Sequence, residues 1–434
     1  MLADYYYEDE PINNMKNLNY SITDFEKYYD YYLNQLEHFA ICLLEISNFN
    51  TYNYVYGYKY GSILMRSVQR FVQSYVTEGA VLKFRDNTLL IIMDGVKCED
   101  EARTLLETIF NNLSKPKEVH EHRVKLSLKM GAALFTKGID DAVTILKNSE
   151  IALDYAKKNR SNYYSFFRNN MYEEVIANRK MELDILNALN NNEFILYFQP
   201  QIDINTMSIY GMEALIRWKH KEYGLLAPSY FIDFIEENEM INEVGRLVIY
   251  EACKKLKKCS ELGYDNLTVS VNISEKQLED ENFLKYAFDT LSEAEVDPER
   301  FIVEITERIL VKPSDRILHT LSLLRARGVK IYIDDFGTEY SSLNYLYCLP
   351  VDGIKIDKSF IDRITKSKKD KIITRSIIKL AHELDLEVVA EGVEEQEQLK
   401  CLKSMACNKI QGFIFAKPLE GNEFINFLSK FNCD

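Results

Sequence analysis

The chain has 434 residues, 47% of them hydrophobic and 12% aromatic, and a net charge of −14 at pH 7. This is enough apolar material for two or three domains, while the acidic balance argues against a general nucleic-acid or DNA binder, whose phosphate contacts need clustered cations. The eight cysteines form no CxxC pair, and neither a signal peptide nor an apolar run of about 18 residues is found, so a reduced, soluble, cytoplasmic chain with no membrane span is expected.

Residues 1–37 are acidic and rich in tyrosine, as in Tyr5-Tyr6-Tyr7-Glu8-Asp9-Glu10, and read as an arm. Within it, Thr23 to Leu36 has the apolar spacing of a lead-in helix. Residues 38–166 read as one α/β domain. Phe39 to Leu44 is a strand, and Gly61 to Tyr75 is a helix with its stripe at Ile63, Leu64, Val68, Phe71 and Val72. Ala80–Phe84 and Thr88–Met93 form a strand pair around Arg85-Asp86-Asn87. Helices are expected at Glu99–Leu113 and Asp140–Lys158, on either side of a strand region from Val124 to Phe135. Residues 167–192 form a helical connector.

Residues 193–434 carry a different pattern. Short strand-like runs end one after another in a charged or amide side chain: Glu213, Asn272, Glu304, Asp334-Asp335, Asp357, Glu391 and Gln411. Helix-length segments separate them. Alternating strands and helices predict a parallel α/β sheet, and about eight such units in roughly 250 residues predict a closed (β/α)8 TIM-like barrel with its chemistry at the strand C-termini. Glu213, Asn272, Glu304, Asp334 and Asp335 are all oxygen donors, the ligand type preferred by hard cations such as Mg²⁺ and Mn²⁺. Two such cations can neutralise a phosphoryl oxygen and help form hydroxide near neutral pH.

Two resemblances sharpen these expectations. Leu44-Glu45-Ile46-Ser47-Asn48-Phe49, the Asn53–Gly61 segment and Ala152-Leu153-Asp154-Tyr155-Ala156-Lys157 resemble a GGDEF domain, the diguanylate cyclase fold with a central, mostly antiparallel sheet. Its signature hairpin reads Arg85-Asp86-Asn87-Thr88-Leu89. The glycines that admit a nucleotide are missing, Thr88 replaces a metal-ligand carboxylate, and Ser62 replaces a guanine contact. The family's Arg-x-x-Asp motif is absent around Val76 to Gly79. The resemblance therefore implies a catalytically inactive scaffold or regulator, with Glu45 the one surviving metal-ligand position and Asn53 the best remaining contact for residual GTP binding.

The barrel region resembles an EAL domain, a cyclic di-GMP phosphodiesterase. Tyr197-Phe198-Gln199-Pro200, Glu213-Ala214-Leu215-Ile216-Arg217, Val271-Asn272, Glu304-Ile305-Thr306-Glu307, Asp334-Asp335-Phe336-Gly337, Lys355-Ile356-Asp357, Glu391-Gly392-Val393-Glu394 and Gln411-Gly412-Phe413 occur in the family's order. The resemblance implies hydrolysis of cyclic di-GMP to linear pGpG with two Mg²⁺ or Mn²⁺ ions. It assigns Glu213, Asn272, Glu304 and Asp334 to the first ion, and Asp334 with Asp335 to the second. Lys355 and Glu391 are placed on the attacking water, the choice of base between them staying open, and crowding by cations is expected to lower the Lys355 pKa. Gln199, Arg217 and Gln411 contact substrate or water, and Glu307 organises the loop from Phe336 to Ser342. A homodimer through the EAL domains is implied by resemblance alone. Glu339, standing where the family has glycine, leaves an alternative: a cyclic di-GMP sensor that acts through a protein partner.

Overall fold

The computed structural model describes residues 38–77, 79–135, 141–158, 163–310, 313–338, 346 and 349–431. The expected lead-in helix within residues 1–37 and Glu339 lie outside them. The chain divides into two compact units between Leu183 and Asp184.

In the first unit, a five-stranded sheet has the order β2-β3-β1-β6-β7. Its strands are β1 (Phe39–Ile46), β2 (Gly79–Arg85), β3 (Thr88–Asp94), β6 (Leu128–Leu134) and β7 (Tyr164–Phe166), with a small hairpin, β4 (Lys117–Val119) and β5 (His122–Val124), beside it. Pairing is antiparallel except between β6 and β7. Helices α1 (Phe49–Tyr56), α2 (Tyr58–Gln73), α3 (Glu99–Leu113), α4 (Ala142–Lys158) and α5 (Asn169–Asn190) complete it, α5 running on across the division. β1 is buried on both faces, so its two sets of alternating side chains enter two different cores. Ala40, Cys42 and Leu44 face the α2 and α3 side, and Phe39, Ile41 and Leu43 pack with Ile145 and Leu153 of α4.

The second unit is a closed barrel. Its ring consists of β8 (Phe194–Asp203), β9 (Ile209–His220), β11 (Thr268–Asn272), β12 (Phe301–Thr306), β13 (Lys330–Phe336), β14 (Gly353–Ile356), β15 (Glu387–Ala390) and β16 (Lys409–Gln411). β10 (Gly224–Leu226) extends β9, and β17 (Leu419–Glu420) pairs with β8. The outer helices are α6 (Ile232–Glu237), α7 (Ile241–Glu261), α8 (Glu275–Glu279), α9 (Phe283–Glu293), α10 (Asp315–Ala326), α11 (Lys358–Ile361), α12 (Lys368–Glu383), α13 (Gln396–Ser404) and α14 (Gly421–Phe431).

The ring departs from an all-parallel barrel at one strand. β8 runs antiparallel to both neighbours, β9 and β16. The reason is local: only a short turn separates β8 from β9, and such a turn cannot make the long crossover that parallel strands require. Asp203 fixes that turn by accepting from the amides of Asn205 and Thr206, each at 2.9 Å.

Two irregularities shape the barrel interior. Opposite β8 the register skips Tyr210, so Gln201 faces Gly211 and Ile202 faces Ile209. On β13 the register to β14 shifts between Ile333 and Phe336, and Asp335 adopts φ 54°. Side chains of neighbouring strand residues normally point to opposite faces. The bulge and the left-handed backbone, which Asp tolerates better than most residues, turn the consecutive Asp334 and Asp335 toward one mouth.

Candidate active site

At the C-terminal mouth of the barrel, Lys355 of β14 is fully buried. Its Nζ lies 2.7 Å from Glu304 Oε2, 2.6 Å from Glu391 Oε1, 3.2 Å from Asp334 Oδ1 and 3.3 Å from Glu213 Oε2. Four strands thus deliver carboxylates to one ammonium. An amide network backs Glu213: Asn272 Nδ2 donates to Oε1 at 3.0 Å and Gln411 Nε2 to Oε2 at 2.6 Å. Gln411 is fixed in turn, its Nε2 donating to Gln199 Oε1 and its Oε1 accepting from Gln201 Nε2, both at 3.0 Å.

The electrostatics follow from crowding negative charge out of water. Burial pushes Glu304 up to about 8, with Glu213 and Asp334 adding to the shift against the pull of Lys355. Burial likewise raises Asp334 and Glu391 and takes Asp335 up to about 6. For Glu213 burial is outweighed by Lys355 and the hydrogen bonds from Gln411 and Asn272, and its pKa falls. Lys355 itself is raised well above its ordinary value: burial lowers it, but Asp334, Glu213, Glu304 and Glu391 overcome that cost. The lowering expected from the sequence is an effect of bound cations, which would oppose these four carboxylates. Four carboxylates stabilise the ammonium, and only added positive charge would reverse the balance.

The donor set fits divalent cations. Oxygens of Glu213, Glu304 and Asp334 lie within 4.8 Å of one another, and so do those of Asp334, Asp335 and Glu391. Glu304 Oε1 is buried with no hydrogen-bond partner among the described residues, a costly position for a carboxylate oxygen unless a ligand meets it. Asn272 would have to turn its Oδ1, rather than its NH2, inward to serve as a ligand.

The remaining candidates take other places. Glu307 Oε2 accepts from the amides of Gly337 at 2.8 Å and Thr338 at 3.2 Å, gripping the chain just beyond the β13 bulge. Gln199 and Gln411 line a cleft with Lys358, Glu391 and Phe413. Arg217 stands apart from the carboxylates. It is half-buried, Nη1 donates to its neighbour's carbonyl at Ile216 (2.8 Å), and the guanidinium lies 5.7 Å from the centre of the Tyr197 ring. Sequence reading gave no role to Gln201 and Tyr197, which share the opening motif of the barrel and alternate with Gln199 along β8.

In the first unit, Glu45 Oε2 is 2.7 Å from Lys157 Nζ, Arg85 pairs with Glu150, and Thr88 is buried opposite Glu45. Asn53 turns its Oδ1 into the space left by Gly61, where a Cβ would lie 1.8 Å away.

Among the described residues no helix is long and apolar enough to cross a membrane. The EAL domain family matches residues 182–418, and the family described as diguanylate cyclase, GGDEF domain, matches residues 12–163. The chain is 34% identical over 394 residues to the signaling protein YkoW of Bacillus subtilis, covering 90% of this chain and 49% of YkoW. It is 30% identical over 396 residues to the cyclic di-GMP phosphodiesterase NbdA of Pseudomonas aeruginosa, covering 91% and 50%. The chain thus spans about half the length of these curated relatives. Among solved structures it is similar to a PaMucR phosphodiesterase–c-di-GMP complex, with a TM-score of 0.55 and 33% identity, over 56% of this chain and 99% of that one. The match over more than half of the chain, together with the ordered carboxylates of the barrel mouth, shows that the protein belongs to the EAL domain family and carries a GGDEF domain ahead of its barrel.

Proposed function

We propose that the protein hydrolyses cyclic di-GMP to linear pGpG at the barrel mouth. The observation that carries this is the convergence of Glu213, Glu304, Asp334 and Glu391 on Lys355 in a chain of the EAL family. Glu213, Asn272, Glu304 and Asp334 would hold one Mg²⁺ or Mn²⁺, and Asp334 with Asp335 a second. When bound, the ions supply charge neutralisation at the phosphoryl group and acidify water. Lys355 and Glu391, 2.6 Å apart, orient the attacking water, and whichever of the two is unprotonated once the cations are bound takes up its proton. The water adds to phosphorus in line as the bond to one ribose 3′-oxygen breaks, and that oxygen leaves as a hydroxyl with the proton taken from the water. Gln199 and Gln411 position the substrate, and Arg217 offers a fork to a phosphate once substrate draws it away from Ile216. Glu307 keeps Asp334 and Asp335 at the mouth by holding the amides that follow them.

The GGDEF domain acts as scaffold or regulator without cyclase activity. The Glu45–Lys157 pair fills a metal-ligand position with an internal cation, Thr88 offers no charge, and GTP could meet Asn53 only if that side chain left its place against Gly61. A homodimer through the EAL domains and a cytoplasmic site of action accord with this reading, and the acidic balance accords with no role on DNA.

Incubation with cyclic di-GMP in Mg²⁺, Mn²⁺ or Ca²⁺, followed by chromatography of the products, tests the proposal. Linear pGpG is expected with Mg²⁺ or Mn²⁺, and its loss is expected in Glu213→Ala and Lys355→Ala. Tight nucleotide binding without pGpG in any metal would overturn it.

A further inference from the structure

The barrel has a second charge cluster at its opposite end, built on a buried lysine and a part-exposed glutamate. Lys409, at the start of β16, is only 4% exposed. Its Nζ lies 2.7 Å from Glu387 Oε2, donates to Tyr332 OH at 3.1 Å, and sits 3.4 Å from the centre of the Tyr210 ring. Tyr332, 1% exposed, donates its own hydroxyl to the same Glu387 oxygen. The rings of Tyr210 and Tyr332 pack with Ile302 and Val389 to close the floor.

The chain makes specific room for this cluster. Tyr210 is the residue skipped by the β8–β9 register. Gly353 clears space for Tyr332, since a Cβ there would lie 2.9 Å from the Tyr332 ring and 3.0 Å from the Glu387 carbonyl oxygen. A barrel interior is ordinarily filled by branched aliphatic side chains, and burying the Lys409 ammonium costs desolvation that an aliphatic filling avoids. Stability alone does not account for the arrangement.

Its placement does. Tyr332, Glu387 and Lys409 stand on β13, β15 and β16, and Gly353 on β14. Two or four residues further along those same strands come Asp334, Glu391, Gln411 and Lys355. A strand repeats its facing every two residues, so floor and mouth share one inward column on each strand.

We propose that Lys409, through Glu387, Tyr332 and Tyr210, is a positioning residue for the cation-binding carboxylates: it ties together at the floor the strands whose carboxylates and amide must converge at the mouth. This deepens the function proposed above and rests on it. The sign of the effect separates positioning from simple electrostatics. By Coulomb's law alone, removing a positive charge beneath the carboxylates would tighten cation binding. Positioning predicts that it weakens.

The test titrates Mn²⁺ into the full chain, by calorimetry or by the spin resonance of free Mn²⁺, alongside melting and turnover. Lys409→Met is expected to weaken Mn²⁺ binding about tenfold, the size of effect that supporting groups around a metal site commonly show. Lys409→Arg should regain affinity to within about threefold. The double variant Lys409→Met/Glu387→Leu, which leaves no buried charge unpaired and frees only the part-exposed Lys330 from Glu387, should melt near the parent yet stay weak for Mn²⁺; a purely structural role would restore both. If Lys409→Met does not fold, Tyr332→Phe removes a single hydroxyl of the cluster and is expected to weaken binding in the same direction. Folded Lys409→Met or double variant with parental or tighter Mn²⁺ affinity overturns the inference. A parent that binds Mn²⁺ but makes no pGpG, with weakened variants, overturns the proposed hydrolysis and leaves this inference standing; a parent that binds no Mn²⁺ overturns both.

Discussion

Lys355→Met isolates the electrostatic demand of the mouth. The ammonium stands 2.6–3.3 Å from four carboxylates, and methionine keeps most of its length and none of its charge. Removing one partner from a buried charge cluster costs about 3–5 kcal/mol, because the other charges are left uncompensated. Each kcal/mol moves the melting temperature of a unit this size by about 2–4 °C, so in EDTA the barrel of the variant should melt roughly 6–20 °C below the parent. Part of the cost is relieved by protonation, since burial already raises Glu304, Asp334 and Glu391, so the lower half of that interval is expected at neutral pH. A bound cation supplies the missing charge. At about a hundredfold excess over its dissociation constant it returns about 2.7 kcal/mol, and without a competing ammonium the variant should gain more from Mn²⁺ than the parent does. Thermal melts followed by circular dichroism, in EDTA and across a Mn²⁺ series, read both effects without relying on turnover. A variant that melts with the parent in EDTA, or that responds to Mn²⁺ no more than the parent, would refute the reasoning.

Two further expectations concern groups around the mouth and the seam. Glu307→Gln weakens an acceptor shared by the amides of Gly337 and Thr338; turnover should fall about 10–100-fold while the melting temperature stays close to the parent's, and unchanged turnover would remove Glu307 from the mechanism. Asp203 is held below its ordinary value of 3.8, first by the Thr206 amide, then by the Asn205 amide and the Thr206 hydroxyl against the opposing effect of burial. Its contribution is therefore present above about pH 4 and is lost as the pH falls through its lower folded value. Melting temperature against pH should drop more steeply for the parent than for Asp203→Asn on the acid side, and parallel curves would argue against this role.

Much of the barrel is visible in the sequence because burial on both faces makes each strand a run of Val, Ile and Ala, and because the change to Glu, Asp or Asn marks where the strand meets the mouth. Val269 to Asn272, Phe301 to Glu304 and Val388 to Glu391 all read this way. The reversed direction of β8 is harder to see, since Tyr197 to Gln201 looks the same read up or down the barrel. Asp334-Asp335 shows two carboxylates but not the bulge that aims both at one place, because the bulge arises from register with β14. The floor is hidden most completely. Tyr210, Tyr332, Glu387 and Lys409 are ordinary residues of four separate strands, and only closure of the ring brings them within reach. Arg217 marks a different limit: its motif suggests a phosphate contact, and its rotamer turns it to the Ile216 carbonyl.

The reversed strand β8 has a consequence for how the molecule is made. It opens the barrel yet pairs along one edge with the strand that ends it, so Gln199 waits for Gln411, 212 residues later, to complete its bond. Such distant pairings slow folding and keep strand edges uncovered during synthesis. A ribosome that has delivered everything through Glu391 has supplied all the acidic groups but not the closing staves, so the nascent chain gains no complete mouth until β16 and its Gln411 emerge.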